Sequence, residues 1–260
     1  EGIETVGQHF MSKMGSEMFL FLSRTREEYA NEANEIQDYY VAETSHTDND
    51  TYNREFVSGQ PPGMLYLCVG EGGAMQAGRN EDLRNLKSLQ GCILRIDPLG
   101  TGISIGNYGI PSDNPWANHE DPSVLGEIWI MGMRNPHRIN WDTEGTGRML
   151  FVDIGEMRVE EINIGKAGRD YGWPVREGVY RFDSSTRHLV YELSEEEQKN
   201  EAEFTYPVAQ YDHTNGYAIS GGGVYRGKDL PNLYGKYVFG DIVSGRLFYV
   251  EESELNLGLS

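Results

Sequence analysis

The sequence predicts an all-β protein, and more specifically a β-propeller, from two observations. Short apolar runs recur along the chain, each bounded by glycine, aspartate or proline, which is typical of strands joined by tight turns. A second pattern, an apolar strand followed by an acid beside glycine, begins at Leu65, Leu150 and Tyr237, at intervals of 85 and 87 residues. Both intervals are close to twice the roughly 40–45 residues of a four-stranded propeller blade. A β-sandwich with accidental spacing is the alternative.

Strand-like runs follow one another from residue 63 onward. The predicted strands are Met64–Val69, Ile93–Ile96, Glu127–Met131, Met149–Val152, Gly223–Tyr225, Tyr237–Phe239 and Arg246–Val250. Helical periodicity is scarce, and the acidic stretch Ser194–Glu203 predicts an inserted loop or a short surface helix. Before residue 63, Met18–Leu22 and Asp38–Thr44 have strand character, and Arg24–Gln37 predicts a polar helix or a long loop. We expect residues 1–260 to form a single propeller domain.

Composition excludes some partners. The chain carries 41 acidic and 22 basic residues, a net charge of −19, whereas nucleic acid and anionic membranes require a basic surface. No run of 18 apolar residues occurs, so the sequence predicts no membrane span. The two cysteines, Cys68 and Cys92, do not form a disulfide scaffold; they are buried free thiols or, if their strands are neighbours, a pair.

One motif suits an anionic ligand. Arg134 and Asn135 follow a predicted strand and precede Pro136, which places a fork of guanidinium donors beside an amide. Guanidinium groups pair bidentately with carboxylates, so this motif suits an anionic, carbonyl-rich ligand. The alternative is a structural arginine that binds loop carbonyls between blades.

A second group of residues suits a hard cation. Carboxylates and turn carbonyls recur over Asp153–Glu156, Glu160–Asn163 and Asp170–Pro174, and Ca²⁺ prefers such oxygen ligands. Strand alternation places Glu161 and Asn163 on one face. The sequence contains no Cys/His cluster for zinc, no Gly-x-Ser-x-Gly elbow, no P-loop and no dinucleotide fingerprint.

Together these segments resemble the glucose/sorbosone dehydrogenase family. That family comprises aldose dehydrogenases dependent on pyrroloquinoline quinone (PQQ) and the hedgehog-interacting-protein-like propellers. The matching stretches are residues 63–73, 91–98, 110–116, 132–142, 151–180 and 211–248. They cover most of 63–250 in the family's order, whereas residues 1–62 match poorly.

The resemblance implies a six-bladed β-propeller of the quinoprotein glucose dehydrogenase type, with PQQ over the central channel. It implies that Arg134 and Asn135 contact the quinone. Tyr180 and Arg226 are weaker candidates for the pocket wall. It also implies two calcium positions. At the first, main-chain oxygens of the turn at Gly155 and Glu156 bind the ion; at the second, the Glu161 side chain and the Tyr171 carbonyl do so.

The chain departs from the family's pattern at three places. The family's catalytic base is a His in an Asn-His-Asn-Gly-Gly-like motif before the strand at Met64–Val69, but Glu55–Gly63 contains no His. The first-blade segment with its quinone-contacting Gln is not recognisable, and the family has further ring-closing strands beyond the position of Ser260. Three explanations compete: a propeller incomplete at both ends, a member that has lost catalysis, or a base elsewhere in the chain.

The leading hypothesis is therefore a PQQ-dependent aldose dehydrogenase with calcium, which oxidises the C1 hydroxyl of a sugar to a lactone. A non-catalytic binding or assembly module is the alternative, with a second copy or another chain covering open propeller edges. A propeller lactonase is the third hypothesis. The resemblance implies a periplasmic or extracellular protein.

Overall fold

The structure is a computed structural model. It describes residues 41–42, 63–75, 78–97, 103–105, 108–183, 185, 189–199 and 203–256. The predicted segments Met18–Leu22 and Arg24–Gln37 lie outside the described residues, as does the segment Glu55–Pro62, which precedes β2 at the position of the family's histidine motif.

Antiparallel strands dominate these residues. The strands are β1 (Val41–Ala42), β2 (Met64–Val69), β3 (Cys92–Ile96), β4 (Ile103–Ile105), β5 (Tyr108–Ile110), β6 (Ile128–Met131), β7 (Pro136–Trp141), β8 (Met149–Asp153), β9 (Val159–Ile164), β10 (Arg176–Glu177), β11 (Tyr180–Phe182), β12 (Val190–Tyr191), β13 (Ala209–Asp212), β14 (Ile219–Val224), β15 (Lys236–Asp241) and β16 (Leu247–Glu251). Within the described residues, helix is limited to α1 (Glu195–Lys199) and 3₁₀ turns at Asn80–Asp82, Pro231–Leu233 and Glu252–Glu254.

The strands form small sheets rather than one large one. Their orders are β1-β2-β3-β6, β10-β11-β12, β13-β9-β8-β7, β14-β15-β16 and β4-β5. Consecutive strands pair antiparallel in three of these sheets: β7 with β8 and β8 with β9, β10 with β11 and β11 with β12, and β14 with β15 and β15 with β16. In the first and the last of these three, the connections run over residues 142–148, 154–158, 225–235 and 242–246, and each of them contains glycine.

The chain divides into two compact units, residues 1–67 with 94–127 and residues 68–93 with 128–260, with boundaries inside β2 and β3. In the first unit a buried arginine organises the loop after β5. Arg95 Nη1 donates to Asp113 Oδ1 at 2.7 Å and to Asn114 Oδ1 at 3.0 Å. Asn114 Nδ2 in turn donates to the carbonyls of Arg95 and Gly126, so a loop without regular structure is fixed by side chains.

The second unit has a core built by strand alternation. Leu150 and Val152 of β8 and Ile162 and Ile164 of β9 point to one face, where they pack with four further buried residues: Val208, Ile219, Tyr237 and Leu255. Because successive side chains alternate, the intervening residues of β8 and β9 lie on the opposite face. That opposite face carries the polar residues Asp153, Glu161 and Asn163 beside the apolar Met149, Phe151 and Val159, and it contains the candidate site.

The structure confirms the all-β prediction, and all seven predicted strands overlap observed ones. Val41–Ala42 forms β1 inside the predicted run Asp38–Thr44, and the acidic stretch Ser194–Glu203 contains the short helix α1. Cys68 and Cys92 are free thiols, and burial raises the pKa of both. No helix in the described part of the chain is long and apolar enough to cross a membrane. Six blades and a single domain over 1–260 stay predictions.

Candidate functional site

The Arg-Asn pair lies in the turn between β6 and β7. Gly132 opens this turn with φ +81°, a conformation that favours glycine, and a Cβ there would collide with Asp170 Oδ1. The Arg134 carbonyl accepts a hydrogen bond from the Glu71 N–H at 2.7 Å. The Asn135 carbonyl accepts one from the Ile154 N–H at 3.2 Å. The turn is therefore held between two neighbouring segments of the same unit.

The carboxylate of Asp153 accepts hydrogen bonds from the backbone N–H groups of both Arg134 and Asn135. Arg134 N donates to Asp153 Oδ2 at 3.0 Å, and Asn135 N donates to Asp153 Oδ1 at 2.7 Å. Asp153 is the last residue of β8 and is buried. Its pairing with Pro136 across β7 and β8 brings the carboxylate level with the turn.

The guanidinium of Arg134 folds back over the turn that follows β8. Its Nη1 donates to the Ile154 carbonyl at 3.2 Å, and its Nη2 pairs with Glu156 Oε2 at 2.6 Å. The two side chains are 22% and 7% exposed, so the pair is largely shielded from water. Arg134 Nε is buried and has no hydrogen-bond partner among the described residues. One donor of the fork is thus unpaired within the described residues.

Close backbone approach also shapes the neighbourhood of Asn135. A Cβ at Gly70 would lie 2.8 Å from Asn135 Oδ1, so only glycine allows the side-chain amide to lie where it does. This places Gly70, at the end of the first repeated strand motif, against the Arg-Asn turn.

On the face of β8 and β9 opposite the apolar core, Glu161 lies beside Asn163 and Asp153. Asn163 Nδ2 donates to Glu161 Oε2 at 3.0 Å, which confirms that the two residues share a face. Glu161 Oε1 accepts the Gly178 N–H at 2.6 Å, and Glu161 lies opposite Asp153 in the strand register. Asn163 Oδ1 is buried and has no partner within the described residues. An unused buried oxygen next to a carboxylate is a donor set that suits a hard cation.

Burial controls the ionisation of these carboxyl groups. It raises the pKa of Asp153 above the ordinary range, although the N–H groups of Arg134 and Asn135 oppose that effect. Burial also raises the pKa of Glu161, and the nearby charge of Asp153 adds to the rise. Two mutually repelling acids therefore lie on one buried face, which a bound cation would relieve.

A further buried carboxylate, Glu177 of β10, closes the turn between β8 and β9. Its Oε1 accepts three backbone N–H groups, those of Met157 at 3.0 Å, Arg158 at 2.7 Å and Val159 at 3.0 Å. The same oxygen lies 2.8 Å from the position of a Cβ at Gly155. Gly155 and Glu156, the predicted calcium turn, thus lie between Asp153 and the segment 157–159 whose N–H groups Glu177 accepts.

The remaining predicted site residues are dispersed. The Tyr171 ring packs edge-on against Phe151 at 5.3 Å, and its hydroxyl donates to the Ile164 carbonyl. Tyr180 pairs with Glu177 in a short hairpin. Arg226 makes a bidentate pair with Asp142 in the β7–β8 turn, at 2.8 and 2.7 Å. The structure therefore brings Arg134, Asn135 and Glu156 together, and engages Arg226 in a different contact.

The described histidines lie in three different settings. His213 Nε2 lies 2.8 Å from Glu160 Oε1, and His119 accepts the N–H of Asp121. His137 lies in β7, and burial lowers its pKa. The described part of the chain contains no group of three or more His, Cys, Asp or Glu side chains arranged to hold a metal. A cation at this face would therefore depend on amide and main-chain oxygens as well as carboxylates.

Sequence reasoning missed Asp153 and Glu177 as individual residues. Asp153 stands in the repeated strand-then-acid pattern, which was the available signal, but the pattern does not show which backbone groups the acid receives. Glu177 carries no local signal, because its three partners lie 18 to 20 residues earlier in the chain.

The sheets and the turn between them define an all-β protein with the fold of the sugar dehydrogenases. The apo-form of the aldose sugar dehydrogenase of Escherichia coli matches with a TM-score of 0.51 and 22% identity, over 72% of this chain and 50% of that one. Residues 10–256 also match the sequence family described as Glucose / Sorbosone dehydrogenase. The chain belongs to the glucose/sorbosone dehydrogenase family.

Two named relatives belong to the other branch of the resemblance. The HIPL2 protein of Arabidopsis thaliana is 34% identical over 212 residues, 76% of this chain and 29% of that protein. The hedgehog-interacting protein of Homo sapiens is 28% identical over 193 residues, 73% of this chain and 24% of that protein. The chain thus spans less than a third of the length of these relatives.

Proposed function

We propose that this chain carries the PQQ and calcium site of an aldose dehydrogenase that oxidises the C1 hydroxyl of a sugar to a lactone. The observation that carries the proposal is the Arg134–Asn135 turn, whose guanidinium retains a buried Nε–H without a partner in the described residues. PQQ offers carboxylates and carbonyl oxygens, which accept such donors. Membership of the family supports the same assignment.

Arg134 and Asn135 would bind and orient the quinone. Glu156 holds the guanidinium through its 2.6 Å contact and so limits the rotation of the arginine. When bound, PQQ supplies the hydride acceptor, and calcium supplies a Lewis acid at the quinone carbonyl. Gly155 and Glu156 would hold that calcium through main-chain oxygens. Glu161, with Asn163 Oδ1 beside it, and the Tyr171 carbonyl would serve the second calcium position.

The fold and its surroundings belong to the same proposal. The antiparallel sheets would be blades of a six-bladed propeller over residues 1–260, with Tyr180 as a candidate for the pocket wall. Arg226 is a weaker candidate, because Asp142 already engages its guanidinium. The protein would act outside the cytoplasm, in the periplasm or extracellular space, on a small sugar.

An absorbance titration tests this function directly. Purified protein is titrated with PQQ in the presence and absence of Ca²⁺, and dye reduction is followed with glucose as substrate. Calcium-dependent PQQ binding that Arg134→Ala weakens would support the proposal. A protein that binds no PQQ at any calcium concentration would refute it, since the quinone is the oxidant in this chemistry.

A non-catalytic binding module is the second candidate. The observation that favours it is the segment Glu55–Gly63, which has no histidine where the family has its catalytic base. Without a base, the proton of the C1 hydroxyl has no acceptor while hydride leaves. PQQ binding without any dye reduction would favour this candidate over the enzyme.

A further inference from the structure

The geometry points to Asp153 as the positioning residue of the Arg134–Asn135 turn, on which binding of the quinone at that turn depends. This inference rests on the proposed function for its ligand, but its structural claim concerns two backbone amides and can be tested without any ligand. Asp153 would not touch the quinone; it would act through Arg134 and Asn135.

The first step is that Asp153 provides the only side chain among the described residues that accepts the amide N–H groups of the pair. Each carboxylate oxygen takes one N–H, at 3.0 Å from Arg134 and 2.7 Å from Asn135. Two adjacent N–H groups directed at one carboxylate fix the orientation of both peptide planes. The direction in which the two side chains leave the turn is thereby set.

The second step is that the position of Asp153 is itself rigid. The residue ends a central strand, is buried, and pairs with Pro136 on one side and Glu161 on the other. The next residue, Ile154, contacts both members of the pair. Ile154 N donates to the Asn135 carbonyl, and the Ile154 carbonyl accepts from Arg134 Nη1. Asp153 and Ile154 therefore hold the backbone and the guanidinium together.

The third step separates positioning from ordinary stabilisation. Asp241 offers a matched comparison, because it is also buried and also accepts two consecutive backbone N–H groups, those of Tyr217 at 2.7 Å and Ala218 at 2.8 Å. Asp241 has no contact with the Arg-Asn turn in the described residues. Loss of either carboxylate should lower stability, but only loss of Asp153 should disturb the turn.

The experiment compares Asp153→Asn and Asp241→Asn with the wild-type chain of 260 residues. In Asp153→Asn the new NH₂ group faces a backbone N–H, so one hydrogen bond is replaced by a repulsive donor pair. Amide hydrogen exchange at Arg134 and Asn135 is measured without ligand, and PQQ affinity is measured with Ca²⁺ by absorbance. We expect exchange at these two amides about tenfold faster or more, and PQQ affinity about tenfold weaker, in Asp153→Asn only.

Three results would overturn the inference. One is unchanged exchange at Arg134 and Asn135 in a folded Asp153→Asn protein. Another is an equal loss of PQQ affinity in Asp241→Asn, which would reveal general destabilisation. The last needs no variant: wild-type amides at Arg134 and Asn135 that exchange as fast as in an unfolded chain.

Failure of the proposed function has a different signature. If the wild type binds no PQQ, the assignment of the ligand fails, and hydrogen exchange alone decides whether Asp153 positions the turn. If Asp153→Asn does not fold, Asp153→Ser fits the same space and retains one acceptor, and the same two measurements apply.

Discussion

The buried Asp153 and Asp241 each accept hydrogen bonds from backbone N–H groups of a neighbouring segment, and at Asp241 hydrogen bonds determine the direction of the pKa shift. Burial opposes its ionisation, but hydrogen bonds from Ser244, Ala218 and the Tyr211 hydroxyl outweigh that effect and hold the pKa of Asp241 well below its usual range. A depressed pKa in the folded state stabilises the protein above the ordinary value of about 4, and the stabilisation is lost as pH falls below it.

We expect Asp241→Asn to lower the free energy of unfolding at pH 7 by about 2–3 kcal/mol, because several charge-assisted hydrogen bonds lose their acceptor. The difference between variant and wild type should shrink as pH falls below about 4. Urea unfolding at several pH values measures both effects. The exposed Asp212, which accepts from Thr214, is the control, and Asp212→Asn should change stability little. A pH-independent difference would contradict the assignment.

The site could be predicted from the sequence only where its residues are close in the chain. Strand alternation placed Glu161 and Asn163 on one face, and the structure confirms their contact at 3.0 Å. The pairing of Arg134 with Glu156 joins positions 22 residues apart, across the strands β7 and β8 and the turn between them, and periodicity carries no information on such a contact. The contacts of Asp153 could not be predicted for the same reason, because its partners Arg134 and Asn135 lie 19 and 18 residues earlier in the chain.

Pairs of elements are joined by individual ion pairs, of which Arg226 with Asp142 is the clearest. Arg226 follows β14, whereas Asp142 begins the β7–β8 turn, where it also accepts Thr146 N–H at 2.8 Å. The Asp142 carboxylate is fully buried and Arg226 is 16% exposed. Removing one partner of such a pair leaves an uncompensated buried charge, which is far more costly than the pair itself is stabilising.

We therefore expect Arg226→Ala to lower the free energy of unfolding by about 3–5 kcal/mol. Arg226→Lys should recover part of that loss, because a lysine retains the charge but not the fork. The double variant Arg226→Ala with Asp142→Asn should be more stable than the single Arg226→Ala, since the lone buried charge is gone. Urea unfolding of the wild type, the two single variants Arg226→Ala and Asp142→Asn, and the double variant gives the coupling energy, and strict additivity would contradict the buried pair.

The strands themselves were predictable to different degrees. Apolar runs such as Met149–Val152 identify β8, because both of its faces are buried. β9 reads Val-Glu-Glu-Ile-Asn-Ile and is also buried throughout. Its glutamates accept backbone N–H groups from other segments, Glu161 from Gly178 and Glu160 from Ile219 of β14, so the hydrophobicity of β9 understates its burial. Hairpins as short as β10–β11 lack enough residues for any period to be recognised.

At the scale of the whole molecule, net charge and one exposed strand have opposite effects on the association of two copies of the chain. Among the described residues β16 is an edge strand of the sheet β14-β15-β16, and it exposes two apolar side chains, Leu247 at 82% and Tyr249 at 58%. Edge strands with exposed apolar residues pair readily with a second chain. The net charge of −19 opposes the approach of a second copy.

We expect salt to decide between these two effects. Raising the ionic strength from about 0.1 M to 1 M shortens the Debye length from about 10 Å to 3 Å, which removes the repulsion but leaves edge pairing intact. The chain should therefore be monomeric in low salt and associate in high salt, as measured by sedimentation velocity. Leu247→Lys should suppress this association because it places a charge on the edge strand. Leu230→Lys, at an exposed leucine outside the strands, should not. Association that is strongest in low salt would instead indicate that charge, and not the β16 edge, holds the copies together.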